Sequence, residues 1–255
     1  MNPRIHDWQG KRIWIIGAST GIGAETARLL LQRGARVALS ARNESALQQL
    51  AAPFSAACVA PLDITDAASV SAVHARLMQQ WQGIDLVLVV AGAYNEMRAD
   101  SFDLDAANRI LDINIRGVYH CLDVVLPELL RQQSGGIGIV GSVAGLSGLP
   151  KALAYGPSKA AVINLCESLF LDLRPKNIAV YMINPGFVDT PLTANNDFAM
   201  PALMTAPQAA SAIVQGMERG DFHIHFPHRF TNWLRLARLL PYRSYFYLVH
   251  KVTGL

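Results

Sequence analysis

Short apolar runs alternate with longer helical patterns along most of the chain, and this alternation constrains the fold more than any other feature. Residues 13–16, 37–40, 57–60, 86–91, 137–140 and 179–183 are runs of strand length. Between them lie helical patterns. One runs from the glycines after Ile16 to Gln32, one from an Asn43 cap to Ala52, and one from a Thr65 cap towards Gln82. Two longer ones cover residues 106–132, with Pro127 as a kink point, and Tyr155 to Leu173. Strands separated by helices of this length are βαβ units, which predicts a parallel sheet with helices on both faces. No repeat, low-complexity stretch or linker interrupts residues 1–255, so the expectation is one doubly wound α/β domain.

Composition agrees with such a core. Hydrophobic residues make up 51% and charged residues 16%, the reverse of the balance that keeps a chain disordered. No uncharged apolar run reaches the roughly 18–20 residues of a membrane span. The first apolar run is too short for a secretory signal, so a soluble cytoplasmic protein is expected. Cys58, Cys121 and Cys166 are scattered and odd in number, which fits core thiols in a reducing compartment rather than disulfides or a zinc cage. The net charge of +3 is unevenly spread. Residues 222–255 hold Arg229, Arg235, Arg238, Arg243 and Lys251 and no acid, so the rest of the chain sums to −2. A basic-surface partner would therefore meet the tail.

The strongest local signal is Gly17-Ala18-Ser19-Thr20-Gly21-Ile22-Gly23, which follows a strand and opens a helix. Gly17 permits the tight turn, and Gly21 and Gly23 let backbone approach a pyrophosphate held by free N–H groups and the helix dipole. Its G-x-x-x-G-x-G spacing differs from the G-x-G-x-x-G fingerprint. Tyr155 and Lys159 stand four apart on one helix face. A nearby ammonium favours phenolate and lowers a tyrosine pKa from its usual value near 10. Ser142 ends an apolar strand, where open α/β sheets hold ligands.

Taken together, these residues resemble the short-chain dehydrogenase/reductase family over roughly residues 11–218, with its Rossmann-type fold. Asp63 and Ile64, in Leu62-Asp63-Ile64-Thr65, match the family's adenine-binding segment. Asn114 matches its structural and proton-relay asparagine, and Ser142, Tyr155 and Lys159 match its catalytic triplet. Asn184-Pro185-Gly186, with Val188 and Thr190, matches the segment at the nicotinamide end. One motif departs. Val89-Val90-Ala91-Gly92 stands where the family writes Asn-Asn-Ala-Gly, so Ala91 and Gly92 still border the cofactor but a strand-tying amide is missing.

The resemblance implies that Tyr155 exchanges the proton at a carbonyl or hydroxyl oxygen and that Ser142 hydrogen-bonds that oxygen. It implies that Lys159 lowers the Tyr155 pKa and grips the nicotinamide ribose, and that Asn114 holds a relay water. Ser40 and Arg42 stand where NAD users place an acid, and an arginine fork suits a 2′-phosphate. NADP(H) is expected over NAD(H). Residues 185–206 correspond to the family's substrate lid. Leu192, Phe198, Met200, Leu203 and Met204 there, with Tyr94, Leu146 and Leu149, are candidate walls for an apolar substrate.

Three further features remain. His223, His225 and His228 look metal-like but have no acid or cysteine with them, so no metal is expected; they belong to a last sheet strand. In residues 228–241, Phe230, Trp233, Leu234, Ala237 and Leu240 share an apolar face opposite Arg235 and Arg238, and aromatic residues follow Pro241. This basic tail, residues 228–255, fits packing on its own body or on a sister subunit, lying on a membrane surface, or binding another protein; protein packing is favoured. The family resemblance implies a homodimer or homotetramer through residues 106–132 and 155–173, and no nucleic-acid partner is expected. The expected activity is NADP-dependent interconversion of an apolar carbonyl and a secondary alcohol. A non-catalytic NADP-binding regulator and a 3-oxoacyl thioester reductase are the alternatives.

Overall fold

The computed structural model describes residues 1–194, 196 and 200–254. Its strands are β1 (Arg12–Ile16), β2 (Arg36–Ser40), β3 (Ala57–Val59), β4 (Leu86–Val89), β5 (Gly136–Val140), β6 (Ala179–Pro185), β7 (Val188–Asp189), β8 (Met204–Thr205) and β9 (His223–Phe226). Its α-helices are α1 (Gly21–Gln32), α2 (Glu44–Ala51), α3 (Ala67–Trp81), α4 (Leu104–Leu111), α5 (Gly117–Gln132), α6 (Tyr155–Leu173), α7 (Ala206–Arg219), α8 (His228–Ala237) and α9 (Tyr242–Thr253). Seven strands form one parallel sheet in the order β3-β2-β1-β4-β5-β6-β9. The short pair β7-β8 ties residue 188 to residue 204.

Alternation within each strand divides the core into two layers. Trp14, Val87 and Ile139 face α3, α5 and α6. Ile13, Leu39 and Ile183 face α1, α2 and α7. Both faces of the sheet are buried, which is why its strands read as continuous apolar runs. The strand order reverses between β1 and β4, and the crevice above their C-terminal ends is where such sheets bind ligands.

Local chemistry shifts two expected boundaries. Thr65 does not cap α3, because its N–H and hydroxyl both donate to Asp63 Oδ1 at 2.9 and 2.8 Å. Asp66 caps it instead, accepting from Ala68 N. The pattern expected over 106–132 is two helices: α4, capped by Asp103, and α5, joined by a π-helical turn over Asp112–Arg116. Pro127 lies inside α5 without ending it.

The second residue belongs to the sheet edge. β9 pairs with β6 only from Met182 onward. Earlier on β6, the Asn2 side chain donates to Val180 O at 2.7 Å and accepts from Val180 N at 3.0 Å, while Asn2 N donates to Gly220 O. The tail packs one face on the body through buried Thr231 and Tyr245. That is the favoured sequence reading for part of its surface only, since Trp233 faces outward and is 72% exposed. Among the described residues, no helix is long and apolar enough to cross a membrane.

Candidate active site

A cleft of about 560 Å³ opens above the C-terminal ends of β1, β4, β5 and β6, a volume in the range of cofactor sites. Its first wall is the glycine loop between β1 and α1. Gly17 has φ +98°, and a Cβ there would overlap Ala91 N on the loop after β4. A Cβ on Gly23 would overlap the Gly17 carbonyl, so Gly23 serves the fold of the loop itself as well as access to it. Ser19, Thr20, Gly21 and Ile22 complete this wall. The Thr20 side chain makes no cap hydrogen bond, which leaves the α1 N-terminal amides facing the cleft. The glycine cradle and these amides fit a pyrophosphate.

Arg42, Asp63 and Ile64 line the cleft beyond β2 and β3. Asp63 is held below the usual carboxylate range by its Thr65 backbone hydrogen bond, aided by the Thr65 hydroxyl and by Arg42 nearby. Ser40, expected beside Arg42, is not in the site. It is fully buried, its hydroxyl accepts from Trp14 Nε1 at 2.9 Å and donates to Ala60 O at 2.5 Å, and it faces the core.

Ser142, Tyr155 and Lys159 meet at the far end, with Pro185, Gly186, Val188 and Thr190 opposite. The Ser142 hydroxyl is close enough to the Tyr155 phenol to pull its pKa downward. Tyr94 meets the Tyr155 ring edge-on, with centroids 5.1 Å apart. The expected lowering of the Tyr155 pKa by Lys159 is opposed by burial. Burial pushes the phenol up to about 12, against the opposing pull of Ser142. Burial likewise lowers Lys159 to about 8. The reason is placement: Lys159 Nζ donates to Val140 O at 2.9 Å and lies 5.6 Å from the centroid of the Tyr155 ring.

Asn114 sits in the π turn, 1% exposed. Its Oδ1 accepts from Ala93 N at 2.7 Å, and its Nδ2 donates to Ala93 O at 3.0 Å and to Ser158 Oγ at 2.9 Å. The Asn114 amide is thus committed to the loop after β4 and to α6. That loop is also held by Val90 N and Ala91 N, both donating to Ile16 O. These contacts tie down a segment whose sequence lacks the family's usual amide.

The expected substrate walls separate. Leu192 lines the cleft, and Tyr94 touches Tyr155. Leu146 instead packs against the layer under α3, α5 and α6. Met204, fixed by the β7-β8 pair, packs on the opposite layer and lines a separate 300 Å³ cavity beside Phe226 and His228. Met200 Sδ accepts from Asn196 Nδ2, Leu149 is half-buried, and Leu203 is exposed. Phe198 lies outside the described residues. Sequence reasoning missed Asn43, Ile113 and Thr193, which also line the cleft. Thr193 shows a readable turn signal, its hydroxyl donating to Val188 O at 2.6 Å.

His223 and His225 lie on β9 as expected, but His228 begins α8 because Pro227 ends the strand, and the two strand histidines are engaged by protein partners. His225 Nδ1 meets Thr231 Oγ1 at 2.7 Å, and its Nε2 accepts from Arg235. Asn184 Nδ2 reaches His223 Nε2 at 3.0 Å.

Sheet order, crevice and glycine cradle define a doubly wound dinucleotide-binding class of domain. Within that class the chain belongs to the short-chain dehydrogenase family, whose model matches residues 11–200. It is 36% identical over 232 residues to an uncharacterized oxidoreductase of Myxococcus xanthus, covering 89% of this chain and 91% of the relative. It also superposes on a short-chain dehydrogenase from Streptomyces avermitilis (TM-score 0.84, 20% identity, 96% of this chain and 98% of that one). A 3-ketoacyl-(acyl-carrier-protein) reductase from Brucella melitensis, complexed with NADH, gives a TM-score of 0.79 at 22% identity, covering 86% of this chain and 98% of that one. At these identities the two structures speak to the fold. The chain is an oxidoreductase of a family that uses a nicotinamide cofactor.

Proposed function

We propose that the protein is an NADP(H)-dependent oxidoreductase that interconverts a carbonyl and a secondary alcohol on an apolar substrate. The observation that carries this reading is the convergence of Ser142, Tyr155 and Lys159 in the same cleft that the glycine cradle lines. A bound nicotinamide supplies or receives the hydride. The Tyr155 phenol carries the proton that would pass to a carbonyl oxygen. Ser142 donates to the same oxygen as charge develops there. Lys159, anchored on Val140 O beside Gly92, would hold a ribose hydroxyl of the bound cofactor. Asn114 acts as a positioning residue for the loop that carries Gly92.

NADP(H) is supported by Arg42. It is an exposed guanidinium on the cleft wall after β2, where an NAD user places an acid. Exposed Tyr119, Leu130 and Leu171 on α5 and α6 support assembly as a homodimer or homotetramer through those helices.

The test is a panel of aliphatic and aromatic ketones followed at the reduced-nicotinamide absorbance. Tyr155→Phe is expected to lower turnover about 10²–10⁴-fold while NADP(H) affinity stays within a few-fold. Full carbonyl reduction by Tyr155→Phe would overturn the assignment.

A further inference from the structure

We infer that α8 and α9 seat the mouth of the cleft on an anionic lipid surface, so that the substrate is a carbonyl or alcohol dissolved in the bilayer. This deepens the oxidoreductase reading and rests on it for the reaction alone.

The tail uses one face to hold the body and leaves a second face uncovered. On α8, Thr231 is buried, while Trp233 and Leu236, three apart on the outward side, are 72% and 55% exposed. On α9, Tyr245 is buried, while Tyr242 and Phe246 stack on each other at 5.7 Å and are 80% and 59% exposed. Tyr247 and, between the helices, Leu239 extend the same uncovered surface. Amphipathic helices with tryptophan, phenylalanine and leucine outward and only basic charge alongside have the composition that lies in a lipid interface.

Charge selects the occupant. From residue 222 to the end of the chain there are five arginines and lysines and no acid. A second copy docked isologously through this face would bring the same cationic segment against itself. Anionic headgroups complement it, while the aromatic rings supply apolar area at headgroup depth.

Position connects this surface to the chemistry. Tyr245 donates to Gly148 O at 2.7 Å, on the loop between Ser142 and Tyr155. The Phe230 ring packs on Gly186 and lies 5.6 Å from the Phe187 ring, on the opposite wall of the cleft. The two tail helices therefore contact the segment joining Ser142 to Tyr155 on one side and Gly186 of the cleft lining on the other, so a membrane under them lies beside the reacting residues.

The experiment uses the full chain and vesicles of phosphatidylcholine, with and without phosphatidylglycerol, in the absence of cofactor and substrate. Co-sedimentation is expected with the anionic vesicles only, falling as salt rises. Trp8, Trp14 and Trp81 are buried, so a blue shift of tryptophan emission on lipid addition is expected to vanish in Trp233→Phe. The triple variant Arg229→Glu/Arg238→Glu/Arg243→Glu is expected to bind at least about a hundredfold more weakly with an unchanged melting temperature. It should turn over a water-soluble ketone normally and a vesicle-dissolved long-chain ketone more slowly. No sedimentation at low salt would overturn the proposal. So would equal binding to both vesicle types, capture of an acidic protein without vesicle binding, or equal loss on both ketones. If vesicles bind but no ketone is reduced, the docking stands and the reaction and substrate class fall.

Discussion

Replacing Asn114 with alanine removes three hydrogen bonds at once and separates a positioning role from a chemical one. The lost bonds join Asn114 to Ala93 N, Ala93 O and Ser158 Oγ, at 2.7, 3.0 and 2.9 Å. Ser158 keeps its own bond to Tyr155 O at 2.7 Å, so α6 loses less than the loop does. Ala93 is half-buried, and water would recover part of what its N–H and C=O lose. At about 1 kcal/mol for each bond removed or group stranded, the variant should lose about 2–4 kcal/mol, or roughly 5–12 °C in melting temperature for a domain of this size. Urea unfolding of wild type and variant measures the first number. The second readout is kinetic. A Cβ on Gly92 would lie 3.4 Å from Lys159 Nζ, so a loop freed at Ala93 moves the wall that Lys159 faces. Turnover should fall on the order of 10²-fold, and Asn114→Asp should not restore it, because aspartate cannot donate to Ala93 O or Ser158. A stability loss below about 0.5 kcal/mol would refute the clamp, whatever happened to turnover.

Converting Arg42 to Asp should invert the cofactor preference, since a charge-assisted contact is worth roughly 1.5–3 kcal/mol, or about 10–100-fold; titrating NADP(H) and NAD(H) into both proteins reads it, and equal wild-type affinities would sink it. His223 and His225 are lowered to about 4, first by burial and then by neighbouring cationic groups. Between about pH 4 and 6.5 the unfolded chain therefore binds more protons, so stability rises with pH across that window and is lost on acidification. Melting curves over pH 4–7 should show this slope, and His225→Gln should flatten it. Asn2→Ala strands Val180 N–H and C=O and should cost about 2 kcal/mol by chemical denaturation.

Much of the frame was legible because its signals are local. The helix over Tyr155–Leu173 and the Asn43 cap fall where the sequence puts them. The sheet layers follow from the period-2 alternation within buried strands. What was not legible depends on partners far along the chain. Ser40 reads as a ligand residue at a strand end, yet its hydroxyl is engaged by Trp14 and Ala60, which only the folded sheet brings to it. Thr65 and Asp66 are both good caps, and the choice turns on Asp63 engaging Thr65 first. The π turn over Asp112–Arg116 changes no residue type and leaves no mark on the periodicity. Tyr155 and Lys159 are visible as a pair, but the direction of their pKa shifts follows from burial, which spacing does not report.

The Asn2 clasp has a consequence for the order in which the molecule assembles. Its side chain closes on a residue 178 positions later. A chain emerging from its N-terminus holds Asn2 ready long before Val180 exists, and the glycine loop, α1 and β2 can associate while that amide is still solvated. Until the clasp closes, Val180 offers an open N–H and C=O on a strand edge, the kind of edge that pairs with other chains. Contacts of such long sequence separation are the slow ones to form. Asn2 therefore acts as a late seal on the sheet, and conditions that delay it favour association between partly folded chains over completion of the fold.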